Sequence, residues 1–221
     1  LCIQEPILKK VIALKPTKNN FSLEHSYLGT LDFEVAFQIQ RNLWHSAKNK
    51  NQISIMGLEH HAVITLGRRM KTEELLSSGD IPVVQSTRGG LATVHSEGQL
   101  VIYPVMNLKA QGWGVKEFVH QLLKVTQTTL TEYHIESFID EKNVGLYTND
   151  GKIAFCGLEI KEGISQPGIS INISNDLRLF SKIVSCGVTS LKTDRVCNHI
   201  SDVTMRDFFE KWTFNFNQSL H

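Results

Sequence analysis

Residues 143–160 read NVGLYTNDGKIAFCGLEI. Asn149, Asp150 and Gly151 stand between two apolar segments, and all three residue types tolerate the positive φ of a tight chain reversal. The stretch is therefore a β-hairpin, and Lys152 begins its second strand. Outward from it, GISINI at 168–173 and IPVV at 81–84 are further strands. Ile53 and Ile55 alternate with polar neighbours in NQISIM, and AVITLG at 62–67 is β-branched, so these read as two strands joined at Gly57–His60. Three segments follow a helical period instead. LDFEVAFQIQRNLWHSA at 31–47 puts Phe33, Ala36, Phe37, Leu43 and Trp44 on one side. VKEFVHQLLKVTQTTLTEY at 115–133 does the same with Phe118, Leu122, Leu123 and Leu130, and the last segment with Met205, Phe208, Phe209 and Trp212. KTEELLSS at 71–78 is expected to be a short helix. Hairpins mixed with helices give an α+β fold, a mixed β-sheet with flanking helices, rather than a strict βαβ alternation. With no internal repeat and no Pro/Gly/Ser linker, residues 1–221 are expected to form a single domain.

The chain carries 23 Lys and Arg against 22 Asp and Glu, a net charge of +1. That balance gives neither a polybasic nucleic-acid surface nor an acidic tail. No apolar run reaches the roughly 18 residues needed to cross a bilayer, and the first twenty residues lack a signal core. A cytoplasmic protein without nucleic-acid or membrane partners is expected. Cys2, Cys156, Cys186 and Cys197 include no CxxC pair, which fits free thiols in a reducing compartment. Nine histidines invite a metal reading, but the adjacent His60 and His61 point to opposite faces of a strand, and no metal site is expected.

The chemistry concentrates in TRGGLATVHSEGQLVIYPV at 87–105. Gly89 and Gly90 let a ligand approach bare backbone, an arrangement suited to a carbonyl or an oxyanion. An imidazole, His95, follows, and the stretch ends in an apolar run.

This string resembles the octanoyltransferases of lipoate biosynthesis, the lipoyl(octanoyl) transferases or lipoate-protein ligase B family, whose hallmark is close to RGGxxTxHGPGQLxxYP. Arg88, Gly89, Gly90, Thr93, His95, Gly98, Gln99, Leu100, Tyr103 and Pro104 match in order. EHHAVITLGRR at 59–69, GKIAFCGLEI at 151–160 and VSCGVTSL at 184–191 are similar to further family elements. The resemblance implies the fold of biotin and lipoate protein ligase catalytic domains. It also implies a reaction, in which octanoyl passes from acyl carrier protein to an enzyme cysteine and then to a lysine ε-amine. The acceptors it implies are the lipoyl domains of 2-oxoacid dehydrogenase E2 subunits and the glycine cleavage H protein. Cys186 takes the position of the nucleophile and Lys152 that of the catalytic lysine. Arg88, Gly89, Gly90, His95, Gly98, Gln99, Gly157, Gly168, Asn172 and Gly187 are the expected substrate-binding positions. No cofactor is implied.

The chemistry fits those assignments. A thiolate attacking a thioester makes another thioester, so the first half-reaction needs a nucleophile and no ATP. A thiol with a pKa of about 8.5 is mostly protonated at neutral pH, so a nearby base helps. Desolvation in an acyl pocket disfavours an ammonium, so a lysine there can take up a proton. Gly187 and the Gly89–Gly90 turn are candidate oxyanion donors. His95 is expected to line the site and orient the thioester or Lys152. Leu91, Val101, Ile153 and Phe155 are expected to wall the acyl chain, and Arg68 and Arg69 to form a basic rim for an acidic carrier protein. Cys156 reads as a small core residue rather than the nucleophile.

The chain also departs from the family pattern. Ser96 and Glu97 replace a Gly-Pro pair, Pro167 stands where a histidine is usual, and only Gly-Val separates Cys186 from Thr189. Two other readings stay open: an ATP-dependent lipoate or biotin-type protein ligase, and a non-catalytic binder of acylated carrier or lipoyl domains.

Overall fold

The computed structural model describes residues 12–13, 21–49, 52–70, 75–184 and 191–220. Eleven strands are present among them: β1 (Ile12–Ala13), β2 (Ser22–Leu31), β3 (Gln52–His60), β4 (Val63–Leu66), β5 (Val83–Gln85), β6 (Ala92–His95), β7 (Gln99–Val105), β8 (Phe138–Asp140), β9 (Gly145–Tyr147), β10 (Lys152–Lys161) and β11 (Ile164–Asn172). The helices are α1 (Phe33–Asn49), α2 (Val115–Glu132) and α3 (Met205–Ser219). Eight strands form one sheet in the order β1-β2-β3-β7-β11-β10-β9-β8, and β5-β4-β6 form a second. β2 and β3 run parallel, connected through α1, and every other pair in the large sheet is antiparallel. The fold is therefore the mixed-sheet α+β type the hairpins imply. No helix among the described residues is long and apolar enough to cross a membrane.

Strand alternation decides which face holds the site. On β7, Leu100 and Ile102 join the core under α2 and α3, with Phe118, Leu122, Phe208 and Trp212. Val101 and Tyr103 point the other way and pack with Ala36 of α1. The small sheet lies on that second side too, where Ile64, Ala92 and Val94 pack with Phe155 and Phe180. The C-terminal helix is fixed at its start, where Thr204 Oγ1 accepts from the Asp207 N–H at 3.1 Å, a stabilising cap.

Two local expectations are corrected. Gly57–His60 is no connection, because β3 runs unbroken through Gly57 to His60. A Cβ at Gly57 would be driven into the Phe209 ring, so this glycine marks where α3 sits on the sheet rather than a turn. KTEELLSS falls partly outside the described residues, and its described part, Leu75–Ser78, is not helical. Leu75 bridges to Ile183, and the N–H groups of Leu76 and Ser77 both donate to the Lys182 carbonyl. Those tertiary bonds replace the i→i−4 bonds a helix would make.

Candidate active site

The hairpin closes as its sequence demands: Thr148 N–H donates to the Gly151 carbonyl at 2.9 Å, and Lys152 opposes Tyr147 in β9. The side chain of Lys152 then turns into a cavity on the α1 side of the large sheet. It is 1% exposed. Its Nζ donates to the carbonyls of Asn143 and Val144 at 3.0 and 2.9 Å and lies 5.0 Å from the centre of the Phe155 ring.

The cavity holds about 660 Å³ counting its open mouth. Its floor is backbone. Gly157 and Gly168 face each other across β10 and β11, and a Cβ on Gly168 would collide with the Ile102 carbonyl oxygen of β7. A side chain at either position would fill the slot or part the strands. The Arg88–Gly90 segment forms the opposite wall. Arg88 is not spread toward a ligand: its Nη2 donates to the carbonyl and hydroxyl oxygens of Thr65 at 2.8 and 2.9 Å, and its Nη1 to the Gly89 carbonyl at 3.1 Å. The guanidinium therefore ties the glycine segment to β4. Gly89 N–H donates to the Leu158 carbonyl at 2.9 Å, so it cannot serve as the oxyanion donor expected of it. Gly90, at φ +92°, turns the chain over the cavity. Arg68 and Arg69, both exposed, donate their backbone N–H groups to the carbonyls of Arg88 and Gly90, which fixes them at the rim.

The far end of the cavity carries one buried imidazole, and a second is packed behind it. His95 Nδ1 donates to Gln99 Oε1 at 2.6 Å, and Gln99 Nε2 donates to Asn172 Oδ1 at 2.9 Å. Asn172 Nδ2 in turn donates to the Asp194 carbonyl. Next to His95, at 5.6 Å between ring centres, His60 donates from Nδ1 to the Leu31 carbonyl and accepts at Nε2 from the Tyr103 hydroxyl. Burial pushes His95 down to about 3 and His60 down to about 4, so both rings are neutral at physiological pH.

The expected site residues thus divide in two. Lys152, Arg88, Gly89, Gly90, His95, Gly157 and Gly168 line the cavity. Gly98, Gln99 and Asn172 stand behind its wall and hold it. Gly98, at φ +86°, accepts at its carbonyl from the N–H groups of Ile173, Ser174 and Asn175, and donates its own N–H to Glu59. His95 is oriented by this chain rather than by contact with Lys152. Cys186 and Gly187 lie outside the described residues. Of the expected apolar wall, Leu91, Val101 and Phe155 line the cavity, whereas Ile153, next to Lys152 on an alternating strand, points into the core under α2. Cys156 also lines the cavity, but burial pushes its thiol up to about 12, which leaves almost no thiolate at neutral pH. Phe33, Val144 and Ser170 line the cavity as well and were not singled out as binding residues in the sequence. Phe33 reads there as one apolar residue of a helix, and neither of the others carries a local signal.

The Gly-Val spacing between Cys186 and Thr189 lies outside the described residues, and the departures at Glu97 and Pro167 are absorbed locally. The Glu97 carboxylate accepts from His61 Nδ1 at 2.6 Å on the exposed surface. Pro167 is in the cavity wall, and its carbonyl accepts from Gln40 of α1 at 3.0 Å. Asp150, Asp194 and His199 bring ligand-type atoms within 4.8 Å of one another. Asp194 is already hydrogen-bonded by Thr148, Asn198 and His199. Those bonds outweigh burial and hold its carboxyl below the ordinary range.

Residues 32–216 match the model of the lipoyl protein ligase A/B catalytic domain. The chain is 35% identical over 178 residues to an octanoyltransferase of Halorhodospira halophila, covering 79% of this chain and 82% of that one. It is 32% identical over 199 residues to an octanoyltransferase of a Shewanella species, covering 90% and 92%. Among solved structures, an ATP-bound lipoate-protein ligase A superposes with a TM-score of 0.75 at 14% identity, over 89% of this chain and 85% of that one. A biotin protein ligase from Aquifex aeolicus gives 0.51 at 12% identity, over 89% and 68%. At such identities the structures speak for the fold alone.

Proposed function

Because the chain belongs to the lipoyl protein ligase A/B catalytic family and its relatives of similar length are octanoyltransferases, we propose that it is a cysteine/lysine acyltransferase of protein lipoylation. In this reading it moves octanoyl from acyl carrier protein to the ε-amine of a lysine on a lipoyl domain. The observation that carries the reading is Lys152: a fully buried lysine held by two carbonyls at the edge of a glycine-floored, apolar-walled cavity.

The Cys186 thiol gives its proton to Lys152, and the thiolate adds to the thioester carbonyl of octanoyl-carrier protein. The resulting oxyanion collapses by breaking the bond to the carrier sulfur, which leaves as a thiol after taking up the proton. Octanoyl is now a thioester of Cys186. The acceptor lysine, arriving as a neutral amine, adds to that carbonyl and passes a proton to Lys152. The C–S bond breaks, the amide forms and the Cys186 thiol is restored. Thioester to amide runs downhill, so no ATP and no other cofactor enters. The described residues on both sides of 185–190 support this role for Cys186. Ile183 packs in the same cluster as Phe155, while Lys152 donates its N–H to the Lys192 carbonyl and accepts from Asp194 N–H. Burying most of an eight-carbon tail, at about 0.8 kcal/mol per CH₂, stabilises the complex by several kcal/mol. The lipoyl domains of 2-oxoacid dehydrogenase E2 subunits and the glycine cleavage H protein are the acceptors, and the cytoplasm, where carrier protein and acceptors meet, is the site of action.

Intact mass after mixing with octanoyl-carrier protein tests the relay. The parent gains one octanoyl group and Cys186→Ser gains none. A gain that survives the substitution removes Cys186 from the mechanism, and turnover that requires ATP with free octanoate replaces the reading by that of a ligase.

A further inference from the structure

We propose that Phe33, the first residue of α1, is the stop that sets how long an acyl chain this protein accepts; the inference rests on the transfer reading above. The cavity floor crosses β10, β11 and β7 in that order. Lys152 and Phe155 come from the first of these, Ser170 from the second, and Val101 and Tyr103 from the third. Neighbouring strands lie about 4.8 Å apart, so the path from β10 to β7 is roughly 10 Å. Seven C–C bonds of about 1.5 Å in a zigzag advance roughly 9 Å. An octanoyl group whose carbonyl sits at Lys152 therefore reaches β7 with its terminal methyl.

The two ends of that path are unlike. Val144, beside Lys152, is 44% exposed, whereas Tyr103 is 5% and His95 7% exposed with Phe33 half-buried over them, so the chain enters at β10 and ends at β7. Beyond β7 lies β3, which carries His60. Phe33, on the helix that follows β2, closes the cavity on that side. Its ring is braced, stacked on Phe37 at 6.3 Å and tilted against His60 at 5.3 Å. The other groups at this end are unsuited to setting length. His95 and Tyr103 are held in place by their hydrogen bonds to Gln99 and His60, and replacing either leaves a buried partner unsatisfied. Phe33 contributes volume only. Removing its ring extends the slot toward Phe37 without breaking a hydrogen bond.

The test compares parent, Phe33→Ala and Phe33→Trp with hexanoyl-, octanoyl-, decanoyl- and dodecanoyl-carrier protein, reading amide formation on a lipoyl domain by mass. Calorimetric binding of the matching free fatty acids is measured alongside. In Phe33→Ala the kcat/KM ratio of decanoyl to octanoyl rises roughly tenfold, the worth of about two buried CH₂ groups. In Phe33→Trp the optimum shifts to hexanoyl. A folded Phe33→Ala protein that keeps the parent's ratio overturns the inference. If the parent transfers no acyl group at all, the transfer reading falls, and the fatty-acid series still decides Phe33: the longest chain bound tightly either lengthens in Phe33→Ala or, staying fixed, refutes the stop.

Discussion

At the β7 end of the cavity, His95, His60 and Tyr103 are bonded sideways to Gln99, Leu31 and one another, and burial holds both imidazoles neutral. At the β10 end, Lys152 is equally buried, and its amine donates to two main-chain carbonyls. One end is thus fixed in a single protonation state and suits the methyl terminus of a chain. The other places a buried amine at the edge of the cavity, where the proposed reaction needs a proton acceptor. The difference teaches that burial alone does not mark a catalytic group. What separates the two ends is what the buried group is bonded to, side chains that fix a ring at one and main-chain carbonyls that hold an amine at the other.

The strongest challenge to this comparison is Lys152→Met, which keeps the stem that packs against Gly145 and removes the amine. Octanoyl transfer should fall by about 10²–10⁴, the usual worth of a positioned acid–base group, with the circular dichroism spectrum unchanged. Activity within tenfold of the parent would make Lys152 an ordinary buried lysine. Next in size is Gly168→Ala. The added methyl meets the Ile102 carbonyl, so β7 and β11 must part, at a cost of about 3 kcal/mol. A thermal melt should show a midpoint about 10 °C lower.

The imidazole end makes a pH prediction. Each ring titrates near 6.5 when unfolded and far lower when folded, so between those values the unfolded chain binds more protons and stability rises with pH. The full contribution is present above about pH 6.5 and is lost as pH falls toward 4, by up to about 1.4 kcal/mol per pH unit for each histidine. Urea midpoints at pH 7 and pH 5 measure this. His95→Gln should remove about half of the dependence, and an unchanged slope would mean His95 is not held neutral. The smallest effect belongs to Cys156→Ala, which should leave acyl-enzyme formation within about twofold, since a thiol pushed up to about 12 is a poor nucleophile. Loss of the acyl-enzyme in this variant would move the nucleophile to β10.

What was legible in the sequence follows the range of the interaction behind it. The Asn149–Gly151 turn, the apolar face of α2 and that of α3 are local patterns, and each appears where its period puts it. Gly57 reads as a turn because nothing near it in sequence announces Phe209, and Leu75–Ser78 reads as helix because its partners, Lys182 and Ile183, lie about a hundred residues on. The site divides the same way. A motif picks out His95, Gln99 and Gly98 together, but only the course of the chain separates the ring that faces the cavity from the amide and glycine that hold it. Phe33 is invisible as a binding residue because its role depends on β7 and β3 lying side by side.

The seat of Phe209 on Gly57 has a consequence for how the molecule is made. The two positions are about 150 residues apart, so the part of the large sheet's core side over β2, β3 and β7, which α3 rather than α2 covers, stays uncovered until α3 has left the ribosome. Closing so wide a loop is slow, and until it happens Leu23, Ile55 and Ile102 offer a bare apolar surface to chaperones and to other nascent chains. Mutations that loosen this seat should therefore lower the yield of folded protein in the cell more than they lower the turnover of the molecules that succeed.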